Sequence, residues 1–115
     1  MAYVRSRAHW VDHFTGSGFE YSHAVADDAV WVVRQFRLFN WNASSPDGEV
    51  GVVDGGINYP LVHGTAMGAP SYIDAPFDLV VNPGGQLYVW TSGSGAGVYV
   101  YASGSKLPGI IDLSG

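Results

Sequence analysis

The stretch from Phe77 to Lys106 constrains the fold most, because its apolar residues alternate with a period of two. Such alternation predicts β-strands, whose successive side chains point to opposite sides of a sheet. Two turn signals divide the stretch into three strands. In Asn82-Pro83-Gly84-Gly85, proline presets φ at the first central position and glycine accepts a positive φ at the next. The polar loop Ser92–Gly97 is predicted to close a hairpin.

The predicted hairpin has two apolar faces. One is small and mainly aliphatic, and comprises Leu87, Val89, Thr91, Val98, Val100 and Ala102. The other is aromatic, and comprises Tyr88, Trp90, Tyr99 and Tyr101. A sheet needs only one apolar face in order to fold. The sequence therefore predicts that the aromatic face is covered, either by a second sheet of the same chain or by another subunit, or that it binds a ligand.

The rest of the chain continues the β pattern. Val30–Trp41 is the longest β-run, and both of its faces are largely apolar, which is typical of a central strand. Short strands separated by Gly- and Pro-rich turns predict an all-β fold, an antiparallel β-sandwich or jelly roll of about eight short strands. Gly55-Gly56 is predicted to be a tight turn between two of them.

The chain divides into three parts on sequence grounds. Residues 1–18 are predicted to be an extended N-terminal arm with anchoring aromatic side chains and room for one helical turn. The predicted sandwich domain spans residues 19–107, and residues 108–115 form an apolar tail expected to dock on it. Four residues of the arm are predicted to dock on a partner protein: Arg5, Arg7, Trp10 and Phe14.

Composition narrows the classes of function. Charged residues make up 13% of the 115-residue chain, against about 25% in typical domains. Aromatic residues make up 14%, and interface cores are poor in charge and rich in Tyr and Trp. A Gly-rich β-protein with neutral loops is the alternative explanation. The net charge of −5 argues against nucleic-acid binding, and no apolar run is long enough for a membrane helix. Without an apolar signal segment, the chain is expected to fold in a cytosol.

No catalytic, metal or cofactor motif is found. The chain has no cysteine, its four histidines lack metal-ligand spacing, and Ser92–Gly97 lacks the lysine and helix of a phosphate loop. The sequence predicts a protein that is not an enzyme and has no cofactor. Carbohydrate binding is the alternative, with the aromatic face stacking on sugar rings together with Trp31 or Trp41.

Three segments carry a resemblance to a known group of proteins. They are Val30–Asn40, Asn82–Val89 (NPGGQLYV) and Val98–Leu107 (VYVYASGSKL). They resemble small virion proteins of tailed bacteriophages, β-sandwich components that decorate the capsid or belong to the tail. The resemblance covers roughly residues 21 to 107. It implies a non-enzymatic, oligomeric capsid decoration protein, expected to be a homotrimer. A tail or connector accessory protein, or a host-recognition module, is the alternative. The implied partners are the major capsid protein or tail proteins, and the implied location is the virion, after synthesis in the host cytoplasm.

Overall fold

The chain folds as an all-β sandwich, as the sequence predicted. A computed structural model describes residues 6–14, 18–40, 47–65, 71–75, 78–92 and 98–108. These residues form two antiparallel sheets, and none of them belongs to a helix that could span a membrane. The described strands are β1 (Ser6–Phe14), β2 (Gly18–Tyr21), β3 (Ala29–Asn40), β4 (Gly48–Asp54), β5 (Ile57–Gly64), β6 (Ser71–Asp74), β7 (Leu79–Val81), β8 (Gln86–Thr91) and β9 (Val98–Pro108).

Sheet I has the strand order β1-β9-β3-β6, with β7 pairing to β3 beyond the end of β6. Sheet II has the order β2-β8-β4-β5. The apolar core lies between the inner faces of the two sheets. Its most buried members include Phe36, Leu38, Val50, Leu87, Val89 and Val100. Each sheet therefore buries one face in the core and turns the other outward.

A β-bulge at Arg34 explains the two apolar faces of β3. Val33 pairs with Gly104 of β9 and Gln35 pairs with Ser103, so Arg34 is one extra residue. Before the bulge the odd positions point inward, with Trp31 in the core, and after it the even positions do, with Phe36 in the core. One bulge thus moves the buried face from odd to even residues. The strand is central, but most of its apolar residues belong to a single buried face.

Both predicted glycine turns are confirmed, and each has glycine at a positive φ. Gly84 has a φ of 81°, and the amide of Gly85 donates to the carbonyl of Asn82 at 2.9 Å. Gly55 and Gly56 have φ values of 60° and 78°, the pair of left-handed residues that a two-residue hairpin turn requires. These turns fix where β4, β5 and β8 begin or end.

The predicted hairpin at Ser92–Gly97 is wrong. Strand β8 pairs with β2 and β4 in sheet II, whereas β9 pairs with β1 and β3 in sheet I. The two strands are neighbours in sequence but cross from one sheet to the other. Alternation assigns the faces of each strand correctly, but it does not say which strands pair, because both sheets bury an aliphatic face in the same core.

Half of the segment predicted as an arm, nine of its 18 residues, is a strand of sheet I. Residues Ser6–Phe14 pair with β9 along their whole length, from Ser6 opposite Lys106 to Phe14 opposite Val98. The short helical turn for which this segment had room does not form within Ser6–Phe14. Arg5, Trp41 and the tail beyond Pro108 lie outside the described residues.

Trp10 is a core residue. Its side chain is 9% exposed and its ring lies 6.4 Å from that of Phe36. The predicted docking role of Trp10 is corrected accordingly, because a side chain buried in its own domain has no surface to offer a partner.

Candidate functional site

The four aromatic residues predicted to form one face lie on opposite outer faces of the sandwich. Tyr88 and Trp90 alternate with core residues of β8 and point outward from sheet II. Tyr99 and Tyr101 alternate with core residues of β9 and point outward from sheet I. None of the four belongs to the core between the sheets. Each pair instead joins other aromatic residues on its own outer face.

The outer face of sheet II carries an aromatic layer, defined by Phe19, Tyr21, His63, Tyr88 and Trp90. Phe19 of the edge strand β2 contacts three other members, with its ring centroid 6.0 Å from Tyr21, 5.8 Å from Tyr88 and 6.4 Å from Trp90. His63 of β5 stacks on Trp90 at 5.9 Å with an interplanar angle of 20°. Contacts at these separations are typical of favourable aromatic pairs. The layer therefore spans the whole width of the sheet, from β2 to β5.

Tyr88 forms the floor of the aromatic layer because Gly51 leaves room for it. The two residues are register partners on β8 and β4. A Cβ atom at position 51 would collide with the Tyr88 ring and with the carbonyl oxygen of Tyr59. Tyr88 is fully buried, while Phe19 and Tyr21 above it are 48% and 43% exposed. The layer thus has a fixed ring beneath and accessible rings on top.

A carboxylate lies inside the aromatic layer. Glu49 Oε2 accepts a hydrogen bond from the Tyr88 hydroxyl at 2.9 Å, and Oε1 lies 3.1 Å from Nδ1 of His63. The Glu49 side chain is 20% exposed. Burial raises the pKa of the Tyr88 phenol, and the hydrogen bond to Glu49 raises it further. Tyr88 therefore stays protonated and holds the carboxylate in place.

The outer face of sheet I carries a second group, the tyrosine–arginine face, defined by Arg37, Tyr72, Asp74, Tyr99 and Tyr101. Tyr101 is opposite Arg37 on β3, which is opposite Asp74 on β6. Arg37 donates to both Asp74 oxygens, at 2.7 and 3.1 Å, and its guanidinium carbon lies 4.1 Å from the centre of the Tyr72 ring. The hydrogen bonds to Asp74 raise the pKa of Arg37. This face thus holds an arginine between a carboxylate and an aromatic ring.

A groove of about 660 Å³ opens beside the tyrosine–arginine face. It lies where the bulge of β3 passes between the ends of β6 and β7. Phe39 and Tyr101 contribute apolar surface, and Arg34 and Asp78 contribute an exposed ion pair at 3.3 Å. The two arginines that line the groove are each paired with an aspartate. The groove therefore has a mixed, nearly neutral lining and no concentration of one charge.

Two of the other predicted docking residues belong to strand β1. Arg7 and Phe14 lie on β1, opposite Ser105 and Val98 of β9, and the structure describes only their backbone. Their docking role stays a prediction. Within the described residues, no cluster of three or more metal-ligating side chains is present.

Sequence reasoning missed Glu49, His63 and Phe19. The hairpin turn at Gly55-Gly56 implied that β4 and β5 pair, but counting back from it puts Glu49 opposite Val62. A register shift between Val50 and Gly51 places Glu49 opposite His63 instead. Phe19 is the first residue of the predicted sandwich domain, but nothing in the sequence showed that its strand lies beside β8.

Comparisons with known proteins find no matching family model and no matching curated protein. Solved structures of a virus show a weak likeness. The Gt strain of infectious bursal disease virus has a TM-score of 0.38 at 10% identity, over 89% of this chain and 30% of that chain. The Gx strain gives 0.35 at 12% identity, over 87% and 31%. The VP2 subviral particle of the same virus gives 0.30 at 14% identity, over 88% and 32%. The chain therefore spans about a third or less of the length of these viral neighbours.

Proposed function

We propose that the chain is a non-enzymatic structural protein of a virus particle, which binds neighbouring proteins through the outer faces of its sandwich. In its most specific form, the proposal is an oligomeric capsid decoration protein of a tailed bacteriophage. One observation carries it: both outer faces present large aromatic side chains. Phe19, Tyr72 and Tyr101 are 48%, 54% and 39% exposed. Outer faces exposed to water are normally polar, and extended apolar patches mark interaction sites.

The residue types on the two faces support docking of proteins. Tyrosine, tryptophan and arginine dominate the binding energy of protein interfaces. The aromatic layer contains tyrosine and tryptophan, and the tyrosine–arginine face contains tyrosine and arginine. The tyrosine–arginine face also offers a groove beside Tyr101 that a partner side chain could enter. The sequence resemblance to phage virion proteins supports the same class of function.

Light scattering on the purified chain tests self-assembly. The proposal predicts a mass that is a multiple of the 12.3 kDa monomer, and three times that mass for the expected trimer. Replacing Tyr99 and Tyr101 together by serine should lower the mass. Tyr59→Ser, at an exposed edge position of β5, is the control and should leave the mass unchanged. A monomer at every attainable concentration would count against an oligomeric protein.

Carbohydrate binding is the second candidate, and one observation favours it. Sugar-binding platforms combine rings with polar groups that fix orientation, and the aromatic layer contains both. Glu49 lies among the rings, and Asn58 donates to the Tyr21 hydroxyl at 3.3 Å. A glycan array with the purified chain tests this candidate. Binding of a defined glycan that Phe19→Ser abolishes would support it, and no binding would remove it.

A further inference from the structure

Charge is divided unequally between the two sheets. The strands of sheet II carry Glu20, Glu49 and Asp54 but no lysine or arginine, a sum of −3. The strands of sheet I carry four basic residues, Arg7, Arg34, Arg37 and Lys106, and two acidic ones, Asp12 and Asp74, which gives a net charge of +2. Asp78, which directly precedes β7 and pairs with Arg34, lowers this to +1. Complementary potential selects partners and steers their approach. Of these three carboxylates, Glu49 lies on the outer face of sheet II, whereas Glu20 points away from it and Asp54 lies at the turn end of β4. The strands thus give this face one fixed negative charge and no lysine or arginine, which suits a cationic partner.

The carboxylate of Glu49 has a fixed position within the aromatic layer. Glu49 is register partner to both Trp90 and His63, so its carboxylate lies beside the stacked pair of rings. Its oxygens contact the neutral Tyr88 hydroxyl and the His63 ring. Because no lysine or arginine stands on the four strands of sheet II, this sheet supplies no permanent cation to the carboxylate.

The tyrosine–arginine face shows that aromatic rings beside a carboxylate can bind an arginine side chain. There, Arg37 lies over the ring of Tyr72 and forms two hydrogen bonds with Asp74. Aromatic faces attract cations, arginine most often among side chains, and carboxylates bind guanidinium groups in fixed geometry. Sheet II presents the rings and the carboxylate of the same arrangement without an arginine of its own.

We infer that the aromatic layer of sheet II is a docking site for a cationic side chain, an arginine, from a partner protein. The guanidinium packs on the exposed ring of Phe19 and the half-buried ring of Trp90, and it pairs with Glu49. The inference rests on the proposed function, since it names the chemistry of the partner that binds there. In this arrangement one arginine binds in the aromatic layer, and the rest of the interface with the partner surrounds that contact.

NMR titration of the tryptophan indole signals tests the inference. The ligand is a capped tripeptide, glycine-arginine-glycine, and its matched control carries citrulline, which has nearly the same shape as arginine without the charge. The arginine peptide should shift the Trp90 signal and leave those of the buried Trp10 and Trp31 in place. The citrulline peptide should bind at least about fivefold more weakly, as loss of one charged contact implies.

Two variants and a control locate the site. Glu49→Gln removes the charge and should weaken binding of the arginine peptide about fivefold. Phe19→Ser removes an exposed ring without touching the Glu49 contacts, and should weaken binding whether or not Glu49→Gln disturbs the fold. Glu20→Gln makes the same change in net charge, but Glu20 alternates with Phe19 and Tyr21 and so points away from the layer. It should bind the peptide as the parent does.

Three results would overturn the inference. They are equal binding of the arginine and citrulline peptides, no shift of the Trp90 signal with either, or a shift with a neutral methyl glycoside but not with the arginine peptide. The last result would establish carbohydrate binding instead. None of them would decide whether the chain belongs to a virus particle, because particle content and self-assembly are measured without the peptide.

Discussion

The Tyr88 ring lies against the backbone of Gly51, its register partner on β4, at a distance that leaves no room for a Cβ atom. Gly51→Ala should therefore displace the floor of the aromatic layer. We expect a loss of about 1–3 kcal/mol in the free energy of unfolding, as for an overpacked core site.

Urea unfolding followed by tryptophan fluorescence measures this loss. Thr65→Ala, at the exposed residue that follows β5, is the control and should change stability by less than about 0.5 kcal/mol. A Gly51→Ala chain as stable as the control would show that the Tyr88 ring is not confined by the glycine.

Tyr88→Phe should reduce stability at neutral pH by about 1–2 kcal/mol, because Glu49 loses a hydrogen bond inside a partly buried layer. Tyr59→Phe removes the hydroxyl of an exposed tyrosine, and it should have little effect under the same conditions. Equal effects of the two substitutions would argue against a specific role for the Tyr88 hydroxyl.

Alkaline pH should weaken the fold through Tyr88. Burial raises the pKa of its phenol in the folded state, so above about pH 10 the unfolded chain loses a proton that the folded chain keeps. The stability contributed by this residue is complete below that pH and falls as the pH rises, by up to about 1.4 kcal/mol per pH unit. The difference in free energy of unfolding between the parent and Tyr88→Phe should therefore shrink from pH 9 to pH 11. A constant difference would contradict the raised pKa.

Deleting single residues from β3 should reveal the bulge. Removing Arg34 deletes the extra residue and leaves Val33 and Phe36 facing the core on regular alternation. Removing Arg37 instead moves Leu38 to an outward position, because a change of register by one residue turns every following side chain of the strand to the opposite face of the sheet. We expect the first deletion to fold and the second to unfold, by circular dichroism and thermal melting. Two deletions of equal effect would contradict the assigned register.

The two arginine–aspartate pairs of sheet I should differ in strength. Arg37 makes two short hydrogen bonds with Asp74, whereas Arg34 makes one contact of 3.3 Å with Asp78. Both pairs are exposed, so Asp74→Asn should cost no more than about 1 kcal/mol and Asp78→Asn close to nothing. Urea unfolding at low and high salt measures both losses, and only the loss at Asp74 should shrink with salt. A larger loss at Asp78 would contradict the geometry.

The fold class could be predicted from the sequence, because alternation and turn chemistry are local signals. Thus Leu87 and Val89 were assigned correctly to a buried face, and Gly84 to a turn. The pairing of strands could not be predicted, since β8 and β9 both offer aliphatic faces that suit either sheet. The candidate site could not be predicted for a related reason. Its central contact, between Glu49 and His63, depends on a register shift between β4 and β5 that the alternation of apolar residues does not reveal.

The central claim is that the aromatic outer faces bind the chain into a virus particle. Quantitative mass spectrometry of particles purified from the organism that encodes the chain tests this claim most directly. We expect the particles to contain the chain in fixed proportion to the major particle protein. We expect its amount in the particles to fall when Phe19 and Tyr101 are both replaced by serine in a chain that still folds. Absence of the chain from purified particles, or incorporation unchanged by the double substitution, would contradict it.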